Sequence, residues 1–219
     1  MSLLPHPRVL IVPAALVVVL LAVIGHRGWS LSRAQSLDVY GAAPAFALTD
    51  QLERPASADE LRGKVVVADF IYTNCPDICP LLSLRMKELQ ERLRRDSLLG
   101  SEVQLLSFTV DPARDTPSVL QQYAERFEAD PGAWRFLTGP EEALVPLIVE
   151  GFHLGVQALP PQPASRSGGK DHDGHPEQYE VMHSGRFVLI DRRGHIRAWY
   201  DGREFDLERV VRDIHLLLR

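Results

Sequence analysis

Cysteine is nearly absent from this chain: 219 residues contain two, Cys75 and Cys79, four positions apart. That count excludes the disulfide framework by which small secreted domains replace a hydrophobic core. A basic stripe is also missing, and a net charge of −5 argues against nucleic acid as a partner. No internal repeat and no second domain can be traced. The composition is otherwise that of a globular protein, 45% hydrophobic and 24% charged. About 180 residues beyond the first forty are ample for a self-supporting core.

One long apolar run is present. Val9–Gly25, "VLIVPAALVVVLLAVIG", is 17 residues without a charge, bounded by Arg8 and by His26-Arg27. A membrane-spanning helix needs about 20 apolar residues, with a lower limit near 17, so the run qualifies. Pro13 is tolerable near a helix end. The rival reading is a cleaved signal peptide, whose apolar region is about 7–15 residues and ends in a small-x-small site. "VIGHRGWSLSRAQ" puts histidine, arginine and tryptophan where those small residues would stand. The expectation is therefore a short tail at 1–8, an uncleaved membrane anchor at 9–25 and a linker at 26–40. Arg8 and the amino terminus are matched by Arg27 and Arg33, so charge does not orient the anchor.

Beyond the linker the chain alternates between two periodicities. "FALTDQLERPASADELRGK" reads as a short strand, a turn and a one-turn helix. "KVVVADFIY" (64–72) is too continuously apolar for a surface strand and reads as a buried central one. "PLLSLRMKELQERLRR" (80–95) repeats Leu82, Met86, Leu89 and Leu93 on one helical face, with Pro80 in its first turn. "EVQLLSFTVD" (102–111) is a second buried strand. Thr116 and Pro117 supply the N-cap and first position of a helix to about Ala129, and another helical stretch covers about Glu141–Phe152. "RFVLID" and "HIRAWY" flank "RRG" as a β-hairpin, and Asp206 caps a last amphipathic helix, Leu207–Leu218. The order β-α-β-α-α-β-β-α, with a strand entering the cysteines and a helix leaving them, is that of an α/β, thioredoxin-like three-layer sandwich over residues 41–219. Within it, "LPPQPASRSGGKDHDGHPEQ" (159–178) is dense in proline, glycine and charge and reads as a mobile surface loop.

Between that strand and that helix, Cys75 and Cys79 fall at a helix N-terminus. Free backbone N–H groups and the helix dipole stabilise a thiolate there. Neither cysteine lies in an apolar run, so neither is expected to behave as a core residue. Three roles compete. A structural disulfide would close a tiny loop and gain little stability from it. A redox pair suits the position, although thioredoxin-type oxidoreductases carry C-x-x-C and this chain carries C-x-x-x-C. The wider spacing also lets two sulfurs converge on a soft ion; Cu(I) suits two thiolates best, and zinc would need further ligands.

A third ligand has eight histidines to come from. His6 and His26 flank the anchor. His153 ends a helix, His195 opens a hairpin strand and His215 lies on the last helix, where packed or surface roles are the simpler reading. His172 and His175 in "DHDGH" resemble a metal-binding tract, but a solvated loop is the stronger reading there. His183, in "EVMHSGRFVLID", stands between the 159–178 loop and a core strand. In a thioredoxin-like topology that segment abuts the active-site loop.

Three motifs now carry a family resemblance. "TNCPDICP" resembles the T-x-C-P-x-x-C-P signature of the Sco/SenC proteins, thioredoxin-fold copper carriers that help metallate cytochrome c oxidase. "VDPARDTP" (110–117) is similar to the family's D-P-x-x-D-T segment, and "QYEVMHS" (178–184) to its D-Y-x-x-x-H-[ST] segment. The resemblance covers about residues 40–219. It implies that Cys75, Cys79 and His183 bind copper, as Cu(I) or Cu(II), at an exposed, under-coordinated site from which the ion passes to a partner by ligand exchange. It also implies reversible oxidation to a Cys75–Cys79 disulfide. Two departures stand out: Gln178 replaces the family's aspartate, and Met182 rather than an acid precedes His183. Both remove negative charge beside the histidine. Asp111 and Asp115 are read first as ending a strand and capping a helix with Thr116, and second as orienting the cysteine loop.

Two functions follow from the resemblance. The first is a membrane-anchored copper metallochaperone, its domain on the non-cytoplasmic (periplasmic) side, delivering copper to the copper-site subunit of cytochrome c oxidase and exchanging with other periplasmic copper carriers or thiol reductants. The alternative is a thiol–disulfide oxidoreductase that keeps the oxidase cysteines reduced through Cys75 and Cys79. A peroxidase, which needs one very reactive cysteine, is the weakest reading.

Overall fold

The computed structural model describes residues 36–154, 156–158, 181–183 and 185–219, together with Leu21. Two compact units divide the chain, Met1–Leu37 and Asp38–Arg219. The expected anchor at 9–25, Leu21 apart, and the expected loop at 159–178 lie outside the described residues. No helix among the described residues is long and apolar enough to cross a membrane.

Short elements come first: β1 (Gly41–Ala42), β2 (Ala47–Asp50), β3 (Pro55–Ser57) and a 3-10 turn at Asp59–Leu61. There follow β4 (Val65–Ile71), α1 (Ile78–Arg95), β5 (Val103–Thr109), α2 (Pro117–Arg126) and β6 (Trp134–Thr138). Next come α3 (Glu141–Pro146), running into a π-helical turn at Leu147–Gly151, and the pair β7 (Val156–Ala158) and β8 (Val181–His183). β9 (Arg186–Ile190), β10 (His195–Asp201) and α4 (Leu207–Leu217) complete the chain. Eight strands form one sheet in the order β1-β10-β9-β4-β5-β6-β2-β3, and β7 and β8 pair separately. β4, β5 and β6 are parallel, while β9 runs antiparallel to β4.

All seven residues of β4 and all seven of β5 are buried. A strand covered on both faces has no polar face to show, which is why these two read as continuous apolar runs. On one face Val66, Ala68 and Phe70 pack with Leu106, Phe108 and the α3 segment through Leu144, Leu147, Ile148 and Phe152. The other face meets α1 through the buried Leu82, Met86, Leu89 and Leu93, with α2 and α4 alongside. Helices on both sides of a sheet make the expected three layers.

Five short strands, β1, β3, β6, β7 and β8, differ from the sequence reading. The second half of "FALTDQLERPAS" forms a hairpin partner, β3, rather than turn alone, and β1 adds two residues at the opposite edge. β6 lies between the two helical stretches, where the sequence reading assigned no element. It pairs in parallel with β5, and the buried Gln51 Oε1 accepts from the Phe136 amide at 2.9 Å. The boundaries of α2 and α4 are shorter than expected, but their caps are as read. Thr116 accepts from Val119 N and Asp206 from Arg209 N.

Phe108 anchors the α3-side core, with ring centroids 5.3 Å from Phe46, 5.5 Å from Phe70 and 5.6 Å from Phe152. Phe108→Ala should lower unfolding stability by about 3–5 kcal/mol, read as a fall in the denaturant midpoint at unchanged slope. A loss under about 1 kcal/mol would place the centre of this core elsewhere.

Candidate metal centre

The cysteines occupy the turn from β4 into α1, at the carboxyl ends of the parallel strands. After Ile71 the chain bends so that Cys75 N donates to Tyr72 O at 3.3 Å. Helix begins at Ile78, placing Cys79 in its first turn and Pro80 immediately after. The Cys79 amide donates to the Cys75 sulfur at 3.4 Å, and the Tyr72 amide to the Cys79 sulfur at 3.5 Å. The Cys79 thiol also hydrogen bonds with Cys75. No disulfide joins the two sulfurs.

Their surroundings correct the sequence reading. Neither cysteine is exposed: Cys79 is fully buried and Cys75 only 9% accessible. The reason is helical spacing, because Cys79, Leu82, Ser83 and Met86 share the face of α1 that packs on the sheet. Burial pushes the Cys79 thiol far above its ordinary value. Its bond with Cys75 acts in the same direction, and the Asp69 charge adds less. Cys75 instead receives one amide of the first helical turn, that of Cys79, an arrangement that favours charge on sulfur. The two thiols are therefore unequal, one at the rim and one in the core.

Asp115 braces the loop. It is 1% accessible, and its carboxylate accepts from Thr73 Oγ1 at 2.5 Å, Thr73 N at 3.2 Å and Thr109 Oγ1 at 2.5 Å. Burial raises its pKa, the three donors oppose that, and neighbouring Asp111 adds to it. This reverses the order of the two readings for Asp115. Thr116 alone caps α2, and Asp115 ties the residue two before Cys75 to the end of β5. Asp111 keeps a local role, pairing with Arg114 at 3.0 Å.

His183 ends β8, opposite Val156 of β7; its side chain lies outside the described residues. Two residues on, Gly185 lies against Ile78, the residue before Cys79. Two Cα steps span at most about 7 Å, so the His183 backbone is near the first turn of α1. Among the described residues no three His, Cys, Asp or Glu side chains gather as a metal site. His195 sits 3.6 Å from Asp191 in the hairpin turn, His215 faces Asp96 at 3.8 Å, and His153 is exposed. All three are structural or surface histidines, as read. His6, His26, His172 and His175 lie outside the described residues.

Asp69 is a residue that the motif search passed over. It lies on β4, on the α1 side, fully buried. No hydrogen bond of ordinary length reaches either of its oxygens. Burial raises its pKa to about 7. The Ser107 hydroxyl, its register partner on β5, offsets only part of that effect and already accepts from Trp134 Nε1 at 2.9 Å. A single acid inside "VVVADFIY" was the available signal.

A family model described as SCO1/SenC matches residues 35–219. The SCO1 protein homolog of Bacillus subtilis (strain 168) is 31% identical over 160 residues, which is 73% of this chain and 73% of that protein. The solved structure of BsSco, a member of the Sco family of cytochrome c oxidase assembly proteins with a disulfide switch, is 26% identical with a TM-score of 0.65. That match covers 84% of this chain and 98% of BsSco. Yeast Sco1 with copper bound is 26% identical with a TM-score of 0.59, over 80% of this chain and 89% of that one. These matches bear out the thioredoxin-like α/β fold.

The Asp69 carboxyl gives a pH signature. An unfolded aspartate titrates near 3.9, and the folded one near 7. Between those values the unfolded chain binds fewer protons, so rising pH removes stability. The total is on the order of 4 kcal/mol, reached by about pH 7. In the reduced protein, the stability of Asp69→Asn relative to the parent should therefore climb from pH 4.5 to 7.5. Parallel stability curves for the two proteins would contradict the raised titration.

Proposed function

The chain belongs to the SCO1/SenC family, and from that premise we propose that it carries copper on Cys75, Cys79 and His183 and delivers it during assembly of the copper site of cytochrome c oxidase. The observation that carries this reading is the pair of facing sulfurs at the strand-to-helix turn. The His183 strand leads into Gly185, which lies on the adjacent residue Ile78. Yeast Sco1 holds copper, and BsSco is grouped with oxidase assembly proteins.

Copper here is cargo. Two thiolates and an imidazole form a soft, low-coordinate set that suits Cu(I). Cys79 keeps its proton in the core until a soft ion displaces it, since burial opposes a bare thiolate. Cys75, at the rim, is the sulfur an incoming partner reaches first. Release then proceeds by ligand exchange, beginning at Cys75 and ending at the buried sulfur. Asp115 and Thr73 keep the loop in place when the ion leaves.

A second reading rests on the same two thiols. Their contact suits closure to a disulfide, with loss of two protons and two electrons, and BsSco has a disulfide switch. The protein would then act as a thiol–disulfide oxidoreductase on the oxidase cysteines or other exported proteins. In either role the 9–25 segment anchors the domain to the membrane on the periplasmic side. Its partners there are the copper-site subunit of the oxidase and other copper carriers or thiol reductants.

Titration of the reduced protein with Cu(I) against a competing chelator distinguishes these readings. One-to-one binding is expected, abolished by Cys75→Ser and weakened about tenfold or more by His183→Ala, while the His183→Ala protein still forms its disulfide. Full affinity in His183→Ala would remove His183 from the ligand set. Weak copper binding with a readily reduced disulfide would instead support the oxidoreductase.

A further inference from the structure

Two glycines lie where the cysteine helix meets the strands that follow His183. A Cβ on Gly185 would stand 2.8 Å from Ile78 Cγ1 and 3.5 Å from its Cδ1. On Gly202, in the turn after β10, it would stand 2.1 Å from Leu82 Cδ2, 2.8 Å from the Gly185 carbonyl oxygen and 3.3 Å from the Phe187 ring. Real Cβ atoms do not approach other atoms so closely. Neither glycine is among the residues with positive φ, so their backbones are open to any amino acid. What excludes a side chain is the first turn of α1.

The two glycines also hold each other. Gly202 N donates to Gly185 O at 2.7 Å. Beside them Arg203 pairs with Asp77 at 3.1 Å, and the Arg203 amide is fixed by Asp201 Oδ1 at 2.8 Å. Residues 185, 202 and 203 thus meet Ile78, Leu82 and Asp77 in one seam around Cys79. The ion pair is solvent-exposed and contributes little by itself. The buried Ile78 and Leu82, at 8% and 0% accessibility, define the seam.

We propose that Gly185 and Gly202 are positioning residues: they form a seat free of side chains on which Ile78 and Leu82 lock the His183 strand beside the cysteine pair. The inference rests on the ligand set Cys75, Cys79 and His183. A methyl group on Gly185 pushes the strand that carries His183 off Ile78 and away from the cysteine turn. The cysteine loop stays intact, because its brace, Asp115 with Thr73 and Thr109, lies elsewhere. Ile78 is thereby a specificity element for the site without touching the ion.

The test is a cycle in the full-length reduced protein, read by Cu(I) competition and by the nitrogen coupling in the electron paramagnetic resonance spectrum of the Cu(II) form. Gly185→Ala should weaken Cu(I) binding about tenfold, to the level of His183→Ala, and lose the nitrogen coupling. Thiol count and disulfide formation should be unchanged. Ile78→Ala removes the clashing Cγ1, so Gly185→Ala/Ile78→Ala should bind like Ile78→Ala alone and regain the coupling. Gly202→Ala should not be rescued by Leu82→Ala, because the Gly185 carbonyl still blocks it. Wild-type binding by Gly185→Ala beside a weak His183→Ala overturns the seat and leaves the ligand set standing. Wild-type binding by His183→Ala overturns both. Weak binding by Gly185→Ala that Ile78→Ala does not restore overturns the seat. Where Gly185→Ala alone does not fold, the double variant decides: folded and copper-binding supports the seat, and otherwise it falls.

Discussion

The turn from β4 into α1 imposes opposite environments on two sulfurs only four residues apart. A buried parallel strand ends there, and a helix must begin within a few residues, packed on the same sheet. The helix face that packs carries Cys79 into the core with Leu82 and Met86. The Cys79 amide, in the first helical turn, reaches Cys75 at the rim. Everything else near the site serves this turn. Asp115 holds its entrance through Thr73, and the seam of Gly185 and Gly202 closes over its exit at Ile78 and Leu82.

That asymmetry is what a carrier needs. A site of two exposed thiolates would bind and lose a soft ion with equal ease and would oxidise readily. With one sulfur protonated in the core and one at the rim, binding begins where a partner can reach and ends where water cannot. The same contact between sulfurs permits a disulfide, so in the proposed function copper carriage and thiol redox chemistry share one pair of atoms. Asp69, fully buried on β4 with only the Ser107 hydroxyl to offset its burial, is a standing cost to stability above its titration. A core optimised for stability alone would carry an apolar residue there.

The strongly periodic elements were legible in the sequence. β4 and β5 announced themselves as unbroken apolar runs, α1 by its spacing of Leu82, Met86, Leu89 and Leu93, and the helices α2 and α4 by their caps. β3 and β6 were not, because strands of three and five residues held by Gln51 or a hairpin leave no period to count. The cysteines and His183 were singled out through their motifs. The burial of Cys79 was available from its place three residues before Leu82 but was outweighed by the polar loop around it. The tie between Asp115 and Thr73 spans 42 positions and exists only in the fold. Gly185 and Gly202 left no trace, since a glycine required by a neighbour rather than by its own φ looks like any other.

The central claim, that Cys75, Cys79 and His183 hold one copper ion together, is tested most directly by X-ray absorption at the copper edge of the Cu(I)-loaded protein, compared with His183→Ala. The account predicts two sulfur scatterers and one nitrogen scatterer for the parent, with the nitrogen missing and both sulfurs retained in the variant. A spectrum with sulfur alone, or one in which His183→Ala leaves the nitrogen signal in place, would contradict it.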